Sequence, residues 1–321
     1  MLRPRLQEDP MTTEQAPTQS TALVIGESLI DIVSRPEQTP VEHPGGSPMN
    51  VAIGLARLGR RVELATWYGS DEHGRLIDAH LAADGVIVSE GSRQASSTST
   101  AIAHVAADGS AEYVFDLDWS LPSVSVPPNC PVVHVGSLGT SIDPGAEVVR
   151  HAVEDVRGAA TISYDPNIRP DLQPDPAAAR AIAERFVRLA DVVKASDEDL
   201  AYIGEGADPE EVLAGWLDLG PKLVVMTASA GDVVALTASG LGVRTSAKKV
   251  EVADTVGAGD SFTAGLIDGL WTAGLLGADN RDALRRIDSR TLDAILDRCT
   301  TIAGITVSRA GANPPRLDEL V

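Results

Sequence analysis

The sequence predicts an α/β fold in which a mostly parallel central sheet is covered by helices and carries a small antiparallel β extension. Three observations lead there. From Thr21 onward, short β-branched runs alternate with Ala-rich amphipathic segments, the pattern of βαβ units. Most of these runs end in Gly, Asp or another polar residue, which suits strands whose carboxyl ends face a ligand. One stretch, 96–119, instead alternates apolar and polar residues about a central Asp-Gly turn and reads as a hairpin.

Taken in order, the segments at 22–26 (ALVIG), 62–66 (VELAT), 131–136 (PVVHVG), 161–165 (TISYD), 191–194 (DVVK) and 223–227 (LVVMT) read as buried strands. Helical periodicity is clearest at 51–58, 177–190, 260–273 and 292–308. In the hairpin, Ala101, Ala103 and Val105 alternate with polar partners, Asp108-Gly109 supplies the turn, and the pattern resumes at Tyr113 and Phe115. An antiparallel hairpin inside a parallel α/β chain is an edge extension or a lid, and segment 30–42 is the candidate to join it. Residues 1–20 hold Arg3 and Arg5 but no apolar stretch of the kind a signal peptide needs, so they read as a disordered tail ahead of one domain at 21–321. Met11 offers a second start site.

Composition narrows the function classes. The chain has 321 residues, and its 46 acidic and 26 basic side chains give a formal charge of -20, which argues against nucleic acid or anionic membrane as a partner. No run approaches the roughly 18 apolar residues of a membrane span. The two cysteines, Cys130 and Cys299, build no disulfide framework or zinc site, so a reducing cytoplasm is the expected setting.

The stretch Asp254-Thr-Val-Gly-Ala-Gly-Asp260 holds the most chemistry. Gly257 and Gly259 give the backbone freedom, and a helix begins at about Asp260, so the loop presents free N–H groups at a helix N-terminus, where an anion is attracted. A carboxylate beside an anion hole suits phosphoryl transfer, with Asp260 taking the proton of an attacking hydroxyl. The structural alternative is that Asp260 only complements the helix dipole. The spacing is not GxxxxGK[ST], so no Walker-type loop is implied.

In Gly45-Gly46-Ser47-Pro48-Met49-Asn50, Ser47 reads as an N-cap, Pro48 as the first helical residue and Gly59 as the stop. Asn50 lies in the first turn of an apolar helix, and its amide suits a polyol; turn and capping chemistry is the alternative reading. Asp31 follows the first strand among apolar residues and could accept two hydroxyl hydrogen bonds. Asp165-Pro-Asn-Ile-Arg169 and Lys194, with Ser196, Glu198 and Asp199 behind it, place local cations at strand ends, where an acidic protein needs them to hold a nucleotide.

Together these residues resemble the ribokinase-like (pfkB) family of carbohydrate kinases, and within it the bacterial fructokinases. DTVGAGDSFTAG at 254–265 resembles the family's C-terminal signature and GGSPMNVAIGLARLG at 45–59 its N-terminal one, with YGSDEHG, HVGSLG, DPNIRP and ADVVKASDEDL as landmarks between them. The resemblance runs from about residue 22 to 321. It implies a three-layer α/β sandwich with a small β lid, formed here by 30–42 and 96–119, and an ATP-dependent kinase acting on the 6-hydroxyl of D-fructose. By resemblance, Asp260 is the general base and Gly257, Ala258 and Gly259 form the anion hole. Asp31, Gly46, Asn50 and Arg169 bind the sugar; Lys194, Thr227, Ser229 and Gly259 lie along the nucleotide. Asp254 with the carbonyls of Val256 and Gly311 lines a monovalent-cation (K+) site, and Asp199 reaches Mg2+ through water. The lid shields the sugar and allows pairing of two copies.

The chain departs from the family pattern at three places. The Asn-x-x-Glu motif is here Ser196-Asp-Glu-Asp199, with a shorter acid; the Gly-x-x-Gly turn after the nucleotide strand is Ser229-Ala-Gly-Asp232; and Pro315 stands where some ribokinases have a cation-side serine. Other sugar kinases of the family, for 2-keto-3-deoxygluconate or ribose, and a catalytically silent sugar- or nucleotide-sensing homologue are the competing readings.

Overall fold

The β-branched runs assemble side by side. The computed structural model describes residues 19–36, 38–105, 111–228, 231–248 and 250–320. Its first half comprises β1 (Thr21–Ile25), β2 (Leu29–Ser34), β3 (Val41–Gly45), α1 (Ser47–Arg57), β4 (Arg61–Ala65), α2 (Glu72–Ala83), β5 (Ile87–Val88), β6 (Thr100–Val105) and β7 (Ala111–Asp116). There follow β8 (Val132–Gly136), α3 (Gly145–Val156), β9 (Thr161–Asp165), α4 (Pro176–Val187), β10 (Val192–Ser196), α5 (Asp197–Gly204) and α6 (Pro209–Trp216). The chain continues through β11 (Leu223–Thr227), β12 (Asp232–Thr237), β13 (Gly242–Ser246), α7 (Ala258–Thr272), α8 (Arg281–Arg285) and α9 (Ser289–Val307).

The large sheet has the order β13-β12-β11-β10-β9-β8-β1-β4-β5. It is parallel from β5 to β11 and antiparallel only at β12 and β13. From β1 the chain proceeds to β4 on one side and later to β8 on the other, so the carboxyl ends of β1 and β8 flank the switch point where open α/β sheets bind ligands. Successive residues of β1 serve opposite faces: Ala22 and Val24 join the core beneath α1, α7 and α9, whereas Leu23 and Ile25 join the core beneath α3 to α6. Helices on both faces and a sheet between them make three layers.

A second sheet, in the order β3-β2-β6-β7, stands over the carboxyl end of β1. It joins segments 30–42 and 96–119 by parallel pairing of β2 with β6, from Ile30 opposite Thr100 to Ser34 opposite His104. A small cluster of Leu29, Ala101 and Leu138 attaches it to the body. The turn at Asp108-Gly109 and most of the 1–20 segment lie outside the described residues. Among the described residues, no helix is long and apolar enough to cross a membrane.

Small residues bring α1, α7 and α9 close together. A Cβ on Gly54 would lie 2.7 Å from the Ala264 Cβ, and one on Gly269 would lie 2.8 Å from Ile295 Cγ2. Gly54→Val is therefore expected to push α1 off α7 and cost about 1–3 kcal/mol, lowering the urea midpoint at unchanged slope. Gly158→Ala, where nothing lies within 4 Å, is the control and should stay within about 0.5 kcal/mol of the parent.

Candidate active site

The loop that starts α7 is shaped by two glycines with different reasons to be glycine. Gly257 caps the helix at φ +75°, and a Cβ there would also sit 2.6 Å from the Ala312 Cβ. Gly259 has no such dihedral; its constraint is space, since a Cβ would come within 2.9 Å of Lys194 Nζ. Ala258 N–H donates to Thr255 O at 3.3 Å, while those of Gly257, Gly259 and Asp260 have no acceptor among the described residues. These free donors lie at the positive end of a 15-residue helix, a setting that favours an anion.

Asp260 sits in that first turn, and both of its oxygens are held from α1. Ser47 Oγ donates to Oδ1 at 2.6 Å and Asn50 Nδ2 donates to Oδ2 at 2.8 Å. Ser47 is thus not the N-cap that its position suggests: Gly46 caps α1 at φ +115°, and Ser47, already helical, turns its hydroxyl across to the other helix. Gly46 is confined as well, because a Cβ would stand 2.5 Å from Glu27 O. Asn50, read from sequence as a polyol ligand, here orients the carboxylate.

Three further charges surround this pair. Asp31, on β2, needs the room that Gly45 leaves: a Cβ on Gly45 would lie 2.0 Å from Asp31 Oδ2. Burial pushes the Asp31 carboxyl up to about 6, with Arg169 and His43 pulling it down and Asp260 adding to the rise. Glu27, which sequence reading passed over, is buried at the carboxyl end of β1 and accepts a hydrogen bond from Gly139 N at 2.8 Å, across the switch point. Burial pushes Glu27 up to about 7, opposed by hydrogen bonds to the 137–139 turn and by the charge of Arg169. The signal for Glu27 was a charged residue directly after an apolar strand. Arg169 acts on both carboxyls from the turn after β9, where its Nη1 donates to Asn167 Oδ1 at 2.7 Å.

Lys194, read from the sequence as a cation that ends its strand, is buried inside the strand instead. It lies within β10, 5% exposed, and pairs with Asp165 Oδ2 at 3.1 Å, to which Thr263 Oγ1 also donates at 3.3 Å. Burial works against its charge, but the carboxylates of Asp165, Asp199 and Asp260 outweigh burial and raise its pKa. Its ammonium therefore underlies the glycine loop. Asp199 is also inward: Oδ1 accepts from Ile168 N at 2.8 Å and Oδ2 from Ser196 N at 3.1 Å, completing a capping box for α5. Both oxygens hold backbone, which explains why the shorter acid stands there.

The remaining predicted residues lie around the rim. Asp254 accepts from Val256 N at 3.0 Å and Gly311 N at 2.9 Å, and these bonds hold its carboxyl below the usual range. Thr227 ends β11 half-buried, and Ser229 lies outside the described residues. Among the described residues, no group of three His, Cys, Asp or Glu side chains could hold a metal ion. The arrangement offers free N–H donors for an anion, a doubly oriented carboxylate beside them, and buried acids with one guanidinium for a polar ligand.

The chain is similar to known proteins over most of its length. Residues 19–319 match the profile of the pfkB family of carbohydrate kinases. A fructokinase of Klebsiella pneumoniae is 34% identical over 273 residues, covering 81% of this chain and 87% of its own. The structure of the Xylella fastidiosa fructokinase with bound ATP superposes with a TM-score of 0.81 at 27% identity, covering 94% of this chain and 96% of that one. A Vibrio cholerae fructokinase variant bound to fructose, ADP and potassium gives a TM-score of 0.74 at 25% identity, covering 92% and 94%.

The buried Glu27 sets a pH dependence of stability. Its folded pKa is raised from 4.5 to about 7, so the native state binds the extra proton and stability falls as pH rises through that window. Melting curves of Glu27→Gln should match the parent near the acid end and exceed it above neutrality, by up to about 3 kcal/mol. Parallel stability profiles would remove Glu27 as the cause.

Proposed function

The chain belongs to the pfkB family of carbohydrate kinases, and from that membership we propose that it transfers the γ-phosphoryl group of ATP to the 6-hydroxyl of D-fructose, with Asp260 as general base. One observation carries the reading: the Asp260 carboxylate, fixed by Ser47 and Asn50, stands in the first helical turn behind a loop of free N–H donors. The fructokinases of Klebsiella and Xylella, and the fructose-bound one of Vibrio, support fructose as acceptor.

In the proposed step, Asp260 accepts the hydroxyl proton as the sugar oxygen bonds to the γ-phosphorus and the bond to the β–γ bridging oxygen breaks, releasing ADP. The N–H groups of Gly257, Gly259 and Asp260 donate to the oxygens of the transferred group, with Ala258 shaping the loop. Two donors fix the direction of the Asp260 lone pairs before the substrate arrives, so little reorganisation is left for the reaction. Asp31, Gly46, Asn50 and Arg169 hold the sugar. Thr227 and Ser229 border the nucleotide, and Lys194 acts on its phosphates from below Gly259 rather than from an open surface. The small sheet covers the sugar and excludes water, limiting ATP hydrolysis.

The oxygen donors beside the loop suit a monovalent cation: Asp254, held ionised by its backbone bonds, with the carbonyls of Val256 and Gly311. A bound K+ would supply fixed positive charge next to the anion hole. Mg2+ suits the phosphate oxygens and water, and Asp199, which accepts one backbone N–H on each oxygen, keeps lone pairs to act on the ion through a bound water.

Asp260→Asn is expected to keep sugar and ATP binding while turnover falls by about 10³-fold or more; turnover near that of the parent would eliminate Asp260 as base. Ser47→Ala, which frees one carboxylate oxygen, should lower kcat by about tenfold and leave KM nearly unchanged. A phosphorylation assay across fructose, ribose and 2-keto-3-deoxygluconate should show fructose ahead. Inert fructose beside a reactive acid sugar would reassign the substrate.

A further inference from the structure

The cleft at the far ends of α1 and α7 has a charge balance unlike that of the chain as a whole. It is an open cleft of about 700 Å3 between the end of α1, the C-terminal half of α7 and the first turns of α9. Its charged lining is Arg60, Arg290 and Arg298 against the single carboxylate of Asp268, in a chain of net charge -20. The volume falls in the range of small-molecule sites.

The Asp268 charge is spent below the surface. It is 2% exposed and accepts from Arg60 Nε at 2.8 Å and from Arg298 Nη2 at 3.0 Å. These bonds clamp two guanidinium forks in place; Arg60 is held further by Thr272 Oγ1 at 2.6 Å and by the Trp271 ring at 4.9 Å. The Nη1 groups of Arg60 and Arg298 keep no acceptor among the described residues, and the exposed Arg290 side chain has none at all there. Asp288 already caps α9, so the positive field comes from the guanidiniums rather than the helix end. Leu58, Ile295 and Leu317 add an apolar wall able to take a carbon skeleton.

Cations immobilised before the ligand arrives lose little entropy on binding; Arg60 and Arg298 each keep Nη1 for a phosphate oxygen, and Arg290 keeps a whole planar fork that matches two. We infer that this cleft is a binding site for a small phosphate-bearing anion, separate from the loop at the head of α7. The two sites lie at opposite ends of α1, whose 11 residues span about 16 Å. One end of that helix orients Asp260; the other borders the cleft.

Isothermal titration with inorganic pyrophosphate tests this in the full chain. The parent should show two binding events, one at the head of α7 and one in the cleft. Arg290→Glu should weaken one of them by at least about tenfold, leaving the other event, the melting temperature and kinase turnover as in the parent. Arg290 has no side-chain partner to lose among the described residues, so this variant is expected to fold. Arg290→Lys, which keeps the charge without the fork, should fall between the two. Superimposable isotherms for the parent and Arg290→Glu would overturn the site, as would equal weakening of both events. Citrate binding in the cleft as tightly as pyrophosphate would overturn the phosphate preference.

Discussion

The contact on which the site depends is the pair of hydrogen bonds that joins two helix N-termini through the Asp260 carboxylate. Its donors, Ser47 and Asn50, are 213 and 210 residues away in the chain, so nothing local holds them opposite Asp260. What holds them is packing: Gly54 against Ala264 brings the axes of α1 and α7 close, and Gly265 and Gly269 let α9 close over α7 from the far side. The large sheet contributes the frame. Ala22 and Val24 of β1 and Val62 and Leu64 of β4 form the floor on which α1 rests. A lost close contact in this stack misdirects a carboxylate it never touches.

The same geometry explains how a protein of charge -20 offers a place for anions. Long-range attraction is absent, so each positive element acts at short range. Free N–H groups at the head of α7 act within the first turn. Lys194, buried below Gly259, is kept charged by three carboxylates and lies in a low-dielectric setting where its field is poorly screened. Arg169 serves the other side, restraining the Asp31 and Glu27 carboxyls. Acidic residues elsewhere on the surface do not cancel these, because solvent screens exposed charges beyond about 8–10 Å.

Much of this was legible in the sequence, for reasons that differ between residues. The six β-branched runs and the two glycine loops announce themselves because burial on both faces and tight backbone turns leave few residue choices. The pairing of β6 with β7 followed from alternation at 96–119, although the parallel register of β6 with β2 did not. Helix α2 escaped notice because only Gly74, Ile77 and Leu81 of its 12 residues are buried, too few to make a periodic stripe. Ser47 and Lys194 were noticed but misplaced. Each side chain's role is set by a partner far along the chain, the Asp260 carboxylate for one and Asp165 with the glycine loop for the other. Glu27 was missed because its meaning comes from the turn after β8, which no local pattern ties to β1.

The orientation of Asp260 also bears on how a substrate hydroxyl would be received. A carboxylate offers about four lone-pair directions, and α1 uses two of them, one on each oxygen. A hydroxyl can therefore donate to Asp260 without displacing Ser47 or Asn50, and the oxygen that takes its proton keeps a donor throughout. That donor stabilises the ionised carboxylate, which would weaken a base that had to act alone. The cost is acceptable only if the transferred group meets strong stabilisation at the same moment, and the free N–H groups of Gly257, Gly259 and Asp260 all lie within three residues of the carboxylate in the chain. In the proposed reaction base and anion hole would thus be two parts of one helix turn, whose carboxylate α1 holds from outside.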